Sequence, residues 1–356
     1  MVIFPDLIEQ PTWGGSYIVK YKGWENQPEY TGKKIGQSYE LSGNVKLFVD
    51  NQKISINDFV VTNPEIILGK SVYKKFGKMP LLIKFTQALG NSFQLHIKPE
   101  IKHPHWQPKP ESWYFFETGY VSCGIKPGIK TEDYKKTCIE IDKKMKNLSQ
   151  LLTTKKVNLS EAISTSKILI KQLSPQQFVN VGMVKKETTI DLSSGGIHHS
   201  WEENTDICPN GNILYEVQLD VADIDCTIRS FDQGKINNDG RIRQLNIDDY
   251  FKFIDNDPEK NNFVQLVEKP KRNNIFNTKY YCLDKITVEE KITDFTNDSF
   301  VHLFAKDGGV DIITESGQVG LSKGHGCFLP ASVNKYEIIN RGKKPSVVLK
   351  TYINNY

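Results

Sequence analysis

The chain has 356 residues, and this length predicts about two domains. Its 46 lysines and arginines nearly balance 42 aspartates and glutamates, and the resulting net charge of +4 argues against nucleic-acid or membrane-surface binding. Only five of the basic residues are arginines, at positions Arg229, Arg241, Arg243, Arg272 and Arg341. Because arginine is absent from the first 228 residues, each arginine is a candidate for a specific role.

The N-terminus has no basic segment followed by an apolar one, so we expect no secretory signal. No stretch approaches the roughly 18 apolar residues that a membrane-spanning helix needs. The six cysteines include no C-x-x-C pair, which argues against a zinc ribbon or a disulfide-stabilised small domain. We therefore expect reduced, packed thiols in a cytoplasmic protein without membrane or nucleic-acid partners.

Short runs of β-branched and aromatic residues recur along the chain, separated by Gly, Asn, Asp, Lys and Pro. They include residues 37–41, 81–85, 92–97, 113–116, 213–219, 300–304, 310–314 and 346–352. This spacing predicts sandwiches or barrels rather than alternating βα units. The pattern occurs twice, with one copy ending near Ser230 and the other running from about Tyr280 to the C-terminus.

Two regions have helical patterns instead. Residues 55–77 contain helix starts at Ser55 and at Asn63-Pro64, with a stop at Gly69. Residues 130–173 form the clearest helical block, with a capped start at 131–133, an apolar stripe at helical spacing, and a second helix over 159–173. We expect this block to be a structural insertion.

A strictly alternating strand carries the first candidate ligands. In residues 92–98 (SFQLHIK), apolar side chains alternate with Gln94, His96 and Lys98. If the polar face lines a barrel interior, Gln94 and His96 can reach the same metal ion. The alternative is that this face contacts solvent.

Two further segments add candidates. Glu111 follows Lys109 and lies at the start of the aromatic run 113–116. The glycines of GGIHHS at 195–200 predict a tight turn that presents an imidazole inward, and histidine is the commonest transition-metal ligand. We expect at least one of His198 and His199 to point inward.

Glu216 lies on a second alternating strand over 212–220, and Arg229 follows it as the first arginine of the chain. Together the candidates supply two histidines, a glutamate and a glutamine, which suit zinc or another divalent first-row metal. The absence of cysteine ligands argues against a thiolate structural zinc. The cations Lys109 and Arg229 beside an open metal site suit an anionic substrate such as a phosphosugar.

The ordered set of these segments resembles type I mannose-6-phosphate isomerase (phosphomannose isomerase), a zinc enzyme family of the cupin superfamily. The matching segments are WGG at 13–15, GQSYELS at 36–42, PLLIKFTQA at 80–88, SFQLHIKPE at 92–100, KPESWYFF at 109–116, GIKPGIKTEDY at 124–134, GGIHHS at 195–200, YEVQ at 215–218, DCTIR at 225–229, GRIRQLNIDD at 240–249 and KGHGCFLPAS at 323–332. The separation between Glu216 and Arg229 is about three residues longer than in the family.

The resemblance implies a mainly β fold of two cupin jelly-roll β-barrels or sandwiches with a small helical insertion. Residues 1–235 would form the catalytic domain, with the insertion at about 130–173, and residues 236–356 a degenerate cupin domain. The implied metal ligands are Gln94, His96, Glu111 and His198. His198 is preferred to His199 because the family's turn has the pattern Gly-x-x-His.

The resemblance also implies catalytic roles for Arg229, Lys109 and Glu216, and substrate binding by Ser92, Lys84 and Arg229. The implied reaction interconverts mannose 6-phosphate and fructose 6-phosphate through an enediol, with one Zn²⁺ per chain, as part of carbohydrate metabolism. Glu216, Lys109 and a metal-bound water all remain open as the base. The alternatives are a non-haem iron cupin oxygenase and a non-catalytic sugar-binding cupin. The expected partner is a small phosphosugar, bound by a monomer or homodimer.

Overall fold

The computed structural model describes residues 1–49, 52–270 and 273–354. The strands of the N-terminal part are β1 (Ile3–Phe4), β2 (Asp6–Glu9), β3 (Ile35–Leu41), β4 (Lys46–Val49), β5 (Gln52–Ser55), β6 (Leu81–Ala88), β7 (Phe93–Leu95), β8 (Glu111–Phe115), β9 (Gly119–Ile125), β10 (Val179–Val184), β11 (Thr189–Asp191), β12 (His199–Trp201), β13 (Asn212–Leu219), β14 (Ile228–Phe231) and β15 (Val267–Glu268).

The C-terminal part is built from strands without α-helices among its described residues. These strands are β16 (Asn274–Asn277), β17 (Cys282–Val288), β18 (Lys291–Phe295), β19 (Val301–Asp307), β20 (Val310–Thr314), β21 (Gly317–Leu321), β22 (Gly326–Leu329), β23 (Lys335–Asn340) and β24 (Ser346–Tyr352). They form a five-stranded sheet, β16-β17-β24-β19-β22, and a four-stranded sheet, β18-β23-β20-β21.

The α-helices of the described chain all belong to its N-terminal part. They are α1 (Tyr17–Tyr21), α2 (Ile56–Thr62), α3 (Pro64–Leu68), α4 (Lys70–Phe76), α5 (Thr131–Thr153), α6 (Leu159–Leu173), α7 (Asp223–Cys226), α8 (Ile247–Phe253) and α9 (Phe263–Leu266). The predicted helical insertion at 130–173 is confirmed as α5 and α6, and Asn158 and Glu161 form a capping box at the start of α6. The stripe Tyr134, Cys138, Ile141 and Met145 is buried.

Two antiparallel sheets form the N-terminal sandwich. One has seven strands in the order β15-β11-β8-β13-β6-β3-β2, and the other has five in the order β10-β9-β12-β7-β14. Side chains from both sheets meet between them, as Trp113 and Trp201 do with ring centroids 5.4 Å apart. The predicted mainly β, jelly-roll sandwich class is therefore confirmed. The described strands form open sheets, not a closed barrel.

The seven-stranded sheet is buried on both faces, and this divides its side chains into two sets. On β13, Glu216 points between the two sheets, and Tyr215 points the other way because neighbouring side chains alternate. The outward set, which includes Tyr215 and Phe85, packs against Phe304 and Leu349 of the C-terminal five-stranded sheet. The hydroxyl of Tyr215 lies 3.0 Å from Nδ1 of the buried His302. One apolar core thus joins the two parts of the molecule.

The segment that connects the N-terminal sheets to the C-terminal sheets packs against the N-terminal sandwich as far as β15. Tyr250 and Phe253 of α8 belong to the core under α5, and Val267 of β15 pairs with Ile190 of β11. The boundary at residues 235 and 236 stays a prediction. This packing supports a proposed boundary near Pro270, between β15 and β16.

All six cysteines lie among the described residues, and each is buried and free. Within residues 1–49, 52–270 and 273–354, no helix combines the length and the apolar composition that crossing a bilayer requires.

Candidate metal centre and its cavity

A cavity of about 340 Å³ opens between the two sheets of the N-terminal sandwich. The seven-stranded sheet contributes Lys84, Glu111 and Glu216 to its lining. Glu216 pairs with Lys84 on one side and with Trp113 on the other, so these side chains share one face of the sheet. Because side chains alternate between the two faces of each strand, polar residues from three separate segments of sequence form one wall of the cavity.

The five-stranded sheet supplies the opposite wall. Arg229 and His199 are both paired with Gln94, from β14 and β12 respectively, so the three residues share one face. Gln94 and Arg229 line the cavity, together with Ser92. Every residue predicted to bind substrate or to take part in catalysis lines this cavity.

Three buried side chains at this site form a candidate metal centre: His96, Glu111 and His199, whose potential ligand atoms all lie within 4.8 Å of one another. Nε2 of His96 is 3.4 Å from Oε2 of Glu111, and Nε2 of His199 is 3.5 Å from Oε1. Two imidazole nitrogens and a carboxylate are a donor set that zinc and other divalent first-row metals accept.

Both imidazoles are oriented by backbone carbonyls. Nδ1 of His96 lies 2.7 Å from the carbonyl oxygen of Cys226, and Nδ1 of His199 lies 3.1 Å from that of Ile197. Since a carbonyl only accepts, each Nδ1 carries the hydrogen, and in the neutral ring each Nε2 presents a lone pair. Both Nε2 atoms are buried and have no hydrogen-bond partner among the described residues. Two such nitrogens facing one carboxylate can share a cation, so these residues fit a bound metal ion.

Glu111 is held in its charged form by its neighbours. Nζ of Lys109 lies 2.9 Å from Oε2, and Nε1 of Trp113 donates a 2.9 Å hydrogen bond to Oε1. Burial alone would raise the pKa of this carboxyl, but Lys109 and the histidines outweigh it and hold the pKa well below its usual range. For His96, burial and Lys109 lower the pKa, but the Cys226 side chain and Glu111 raise it to about 9. A proton would thus compete with a metal ion for this nitrogen.

The predicted ligand His198 lies outside this cluster, in which its neighbour His199 takes part instead, so a ligand role for His198 stays a prediction. Its ring packs edge-on against Phe93, with centroids 4.5 Å apart, and its Nδ1 is hydrogen-bonded to the hydroxyl of Tyr250. Burial lowers its pKa well below the usual value, so the ring is neutral. The reason is strand geometry: His199 pairs with Gln94 and shares its face, so His198 must point to the opposite side.

Gln94, the remaining predicted ligand, lines the cavity beside the cluster. Its Nε2 donates a 3.0 Å hydrogen bond to Oγ of Ser92, which also accepts a 3.2 Å bond from Nε of Arg229. A ligand role for Gln94 stays a prediction.

Glu216 is the cavity's second buried carboxyl. Nζ of Lys84 donates to its Oε1 at 3.1 Å, and Oε2 is buried with no hydrogen-bond partner in the described part of the chain. Burial raises the pKa of Glu216, and Lys84 offsets this only in part. Such a group can exchange a proton more readily near neutral pH than an exposed glutamate can.

Sequence reasoning assigned no role to five charged residues that line the same cavity: Asp223, Asp232, Lys235, Arg241 and Arg243. Burial lowers the pKa of Lys235 to about 8, although Asp232 raises it. None of the described residues forms a salt bridge with Lys235, whose Nζ donates to the carbonyl oxygen of Gly90. The scarcity of arginine was a signal for two of these residues, since three of the five arginines of the chain line this one cavity.

The fold and the site together define a protein of the mainly β, jelly-roll sandwich class with a candidate metal centre between the sheets of its N-terminal sandwich. Residues 272–344 match the family model "Mannose-6-phosphate isomerase, cupin domain". No curated protein sequence matches the chain. The resemblance to mannose-6-phosphate isomerases is therefore confirmed for the C-terminal segment by sequence and for the whole chain by the fold comparisons that follow.

Several solved structures share the fold over the whole chain. A protein from Archaeoglobus fulgidus, described as a candidate mannosephosphate isomerase, has a TM-score of 0.69 at 19% identity, covering 100% of this chain and 99% of its own. Mannose 6-phosphate isomerase from Bacillus subtilis has a TM-score of 0.68 at 14% identity, covering 99% and 98%. The enzyme from Salmonella typhimurium, described as bound to its substrate and to a zinc atom, has a TM-score of 0.69 at 14% identity, covering 99% and 100%.

Proposed function

We propose that this chain is a metal-dependent aldose–ketose isomerase that interconverts mannose 6-phosphate and fructose 6-phosphate. The observation that carries this proposal is the buried His96–Glu111–His199 cluster at a cavity that also contains a second buried carboxyl and several cations. The fold shared with a mannose 6-phosphate isomerase described as bound to its substrate and to zinc supports the choice of substrate and metal.

His96, Glu111 and His199 would hold the ion, and Gln94 is the neighbouring candidate for a fourth ligand. When bound, a zinc ion supplies Lewis-acid polarisation of the sugar's carbonyl and hydroxyl oxygens. Lys109 fixes the Glu111 carboxylate at 2.9 Å and so keeps the ligand set charged and oriented.

Glu216 is the group that we assign as the proton carrier. Its Oε1 is fixed by Lys84, and its unpartnered Oε2 is free to accept a proton. The carboxylate removes the proton from C2 of the aldose, and the same proton is returned to C1, while the hydroxyl proton passes from O2 to O1. The raised pKa of Glu216 favours this exchange. Lys109 is a weaker candidate, because its ion pair with Glu111 raises its pKa against the effect of burial and keeps it protonated.

The phosphate group would bind at the end of the cavity formed by Ser92, Arg229 and Lys235. Ser92 and Arg229 are already hydrogen-bonded to each other, and Lys235 is a cation without a salt bridge among the described residues. A phosphate dianion satisfies both cations through charge-assisted hydrogen bonds.

The buried free thiols also fit a reducing compartment, which supports a cytoplasmic location.

The test is a coupled isomerase assay on the full chain with zinc. Conversion of mannose 6-phosphate to fructose 6-phosphate, lost in the variant Glu216→Gln with metal content unchanged, is the expected result. No conversion by the zinc-loaded wild type would refute the proposal.

A second candidate function follows from the donor set itself, because two histidines and one carboxylate also hold Fe(II) in non-haem oxygenases. The cations and the Lys84–Glu216 pair in the cavity favour the isomerase. Iron-dependent oxygen consumption with a sugar phosphate, in the absence of isomerisation, would favour the oxygenase.

A further inference from the structure

The guanidinium group of Arg229 is almost fully engaged by the protein itself. Its Nη2 donates to both carboxylate oxygens of Asp223, at 2.9 and 2.7 Å. Its Nε donates to Ser92, and its Nη1 donates to the carbonyl oxygen of Thr227 at 3.3 Å. In this arrangement Arg229 has little capacity left for a substrate.

The two partners of this ion pair are buried to very different extents. The Arg229 side chain is 11% exposed, whereas that of Asp223 is 69% exposed. Asp223 starts the single-turn helix α7, and the next residue, Ile224, is 74% exposed. A buried guanidinium needs an anionic partner, but a carboxylate at the surface can return to water at low cost.

We propose that Asp223 is an internal substitute for the anionic group of the substrate. It occupies Arg229 when the cavity holds no anion, and a phosphate group displaces it. The proposal rests on the proposed function only for the identity of the anion as a phosphate ester. Phosphate is the better partner because it has further oxygens for the Ser92 hydroxyl, which contacts Arg229, and because Lys235 adds a second positive charge to the same cavity.

The exchange makes Asp223 a specificity-determining residue. An unphosphorylated sugar has no charge with which to replace the carboxylate, so Arg229 stays paired with Asp223 and contributes nothing to binding it. A phosphosugar gains Arg229, but only after the Asp223 bonds are broken. Asp223 is also held by a 2.7 Å hydrogen bond from the Thr227 hydroxyl, which adds to the cost of displacement.

Binding of inorganic phosphate to the zinc-loaded full chain, measured by calorimetry, tests this exchange. In the variant Asp223→Asn the competing charge is lost, and we expect the Kd for phosphate to fall by about tenfold, since charge-assisted hydrogen bonds of this kind differ from neutral ones by roughly 1–2 kcal/mol. Asp223→Glu keeps the charge and should retain an affinity close to that of the wild type.

The matched control is Asp225→Asn. Asp225 lies on the same short helix α7 and makes no hydrogen bond to Arg229 within the described chain, so this variant removes one negative charge without freeing Arg229. A Kd within about twofold of the wild type is expected. An equal gain in both variants would mean a general field effect and would overturn the proposal. So would an unchanged or weaker affinity in Asp223→Asn, or no phosphate binding by any of these proteins.

Failure of the proposed function is distinguishable from failure of this inference. If tight phosphate binding by Asp223→Asn is accompanied by no isomerisation in any variant, the exchange holds and the assigned reaction is wrong. If the reaction is correct, Asp223→Asn lowers KM for the phosphosugar without raising kcat.

Discussion

His199 lies directly opposite Gln94 on the paired strands β12 and β7, so the two side chains share one face of the five-stranded sheet. Its neighbour His198 is directed to the opposite side, against Phe93 and Tyr250. Two adjacent histidines therefore lie in different surroundings, one at the candidate metal centre and one in the packed core.

This separation predicts different effects for the two substitutions. His199→Ala removes a ligand, and we expect the zinc content of the purified protein to fall well below one ion per chain. His198→Ala keeps the metal but leaves a core cavity, and should lower the free energy of unfolding by roughly 2–4 kcal/mol. Metal analysis and denaturant unfolding of both variants check this. Loss of zinc in His198→Ala with retention in His199→Ala would reverse the assignment.

The role of Glu216 predicts a loss of turnover without a loss of metal. Glu216→Gln should lower kcat by about 10²- to 10⁴-fold, which is the usual contribution of a general base. The matched control is Glu111→Gln, which should lose zinc as well as activity. The base must be ionised and burial raises its pKa, so kcat/KM of the wild type should fall on the acidic side at a higher pH than for an ordinary glutamate. Near-normal turnover in Glu216→Gln would exclude this assignment.

The lowered pKa of Lys235 predicts a pH dependence of the opposite sign, in which the affinity for the phosphosugar falls on the alkaline side. Its pKa is lowered to about 8 by burial, so the ammonium group is charged below that pH and neutral above it. Asp232, Arg243, Glu203 and Glu202 are the charged groups that act on it. The affinity for a phosphosugar should therefore decrease as the pH rises through about 8, and Lys235→Met should lose this step. A step that persists in Lys235→Met would assign it to another group.

Alternation explains why part of this site could be predicted from sequence. Periodicity in residues 92–98 and 212–220 placed Gln94, His96 and Glu216 on polar faces, and the paired sheets bring these faces together. The choice between His198 and His199 depended on the register between β12 and β7, and sequence motifs alone do not specify this register. Lys235, Arg241 and Arg243 follow β14 in an irregular segment, where no periodicity indicates direction. The Asp223–Arg229 pair joins residues that the sequence spacing alone did not relate.

The interface between the two parts of the molecule contains a buried ion pair. Nζ of Lys22 lies 2.7 Å from Oε1 of Glu40, and both side chains are fully buried. Lys22 also donates to the carbonyl oxygen of Gly324 in the C-terminal part. Removal of one partner leaves an uncompensated buried charge, so Lys22→Met should lower the free energy of unfolding by about 3–5 kcal/mol. The double variant Lys22→Met/Glu40→Leu should recover much of this loss. Additive effects in denaturant unfolding would show that the pair is not coupled.

The coupled isomerase assay on the full chain, before chelation, after chelation and after zinc is restored, tests the central claim most directly. We predict conversion of mannose 6-phosphate to fructose 6-phosphate by the zinc-loaded protein, loss of conversion after chelation, and recovery when zinc is returned. Absence of conversion by protein shown to contain zinc would contradict the proposed function. Full activity after complete removal of the metal would contradict the assignment of His96, Glu111 and His199 as a catalytic metal centre.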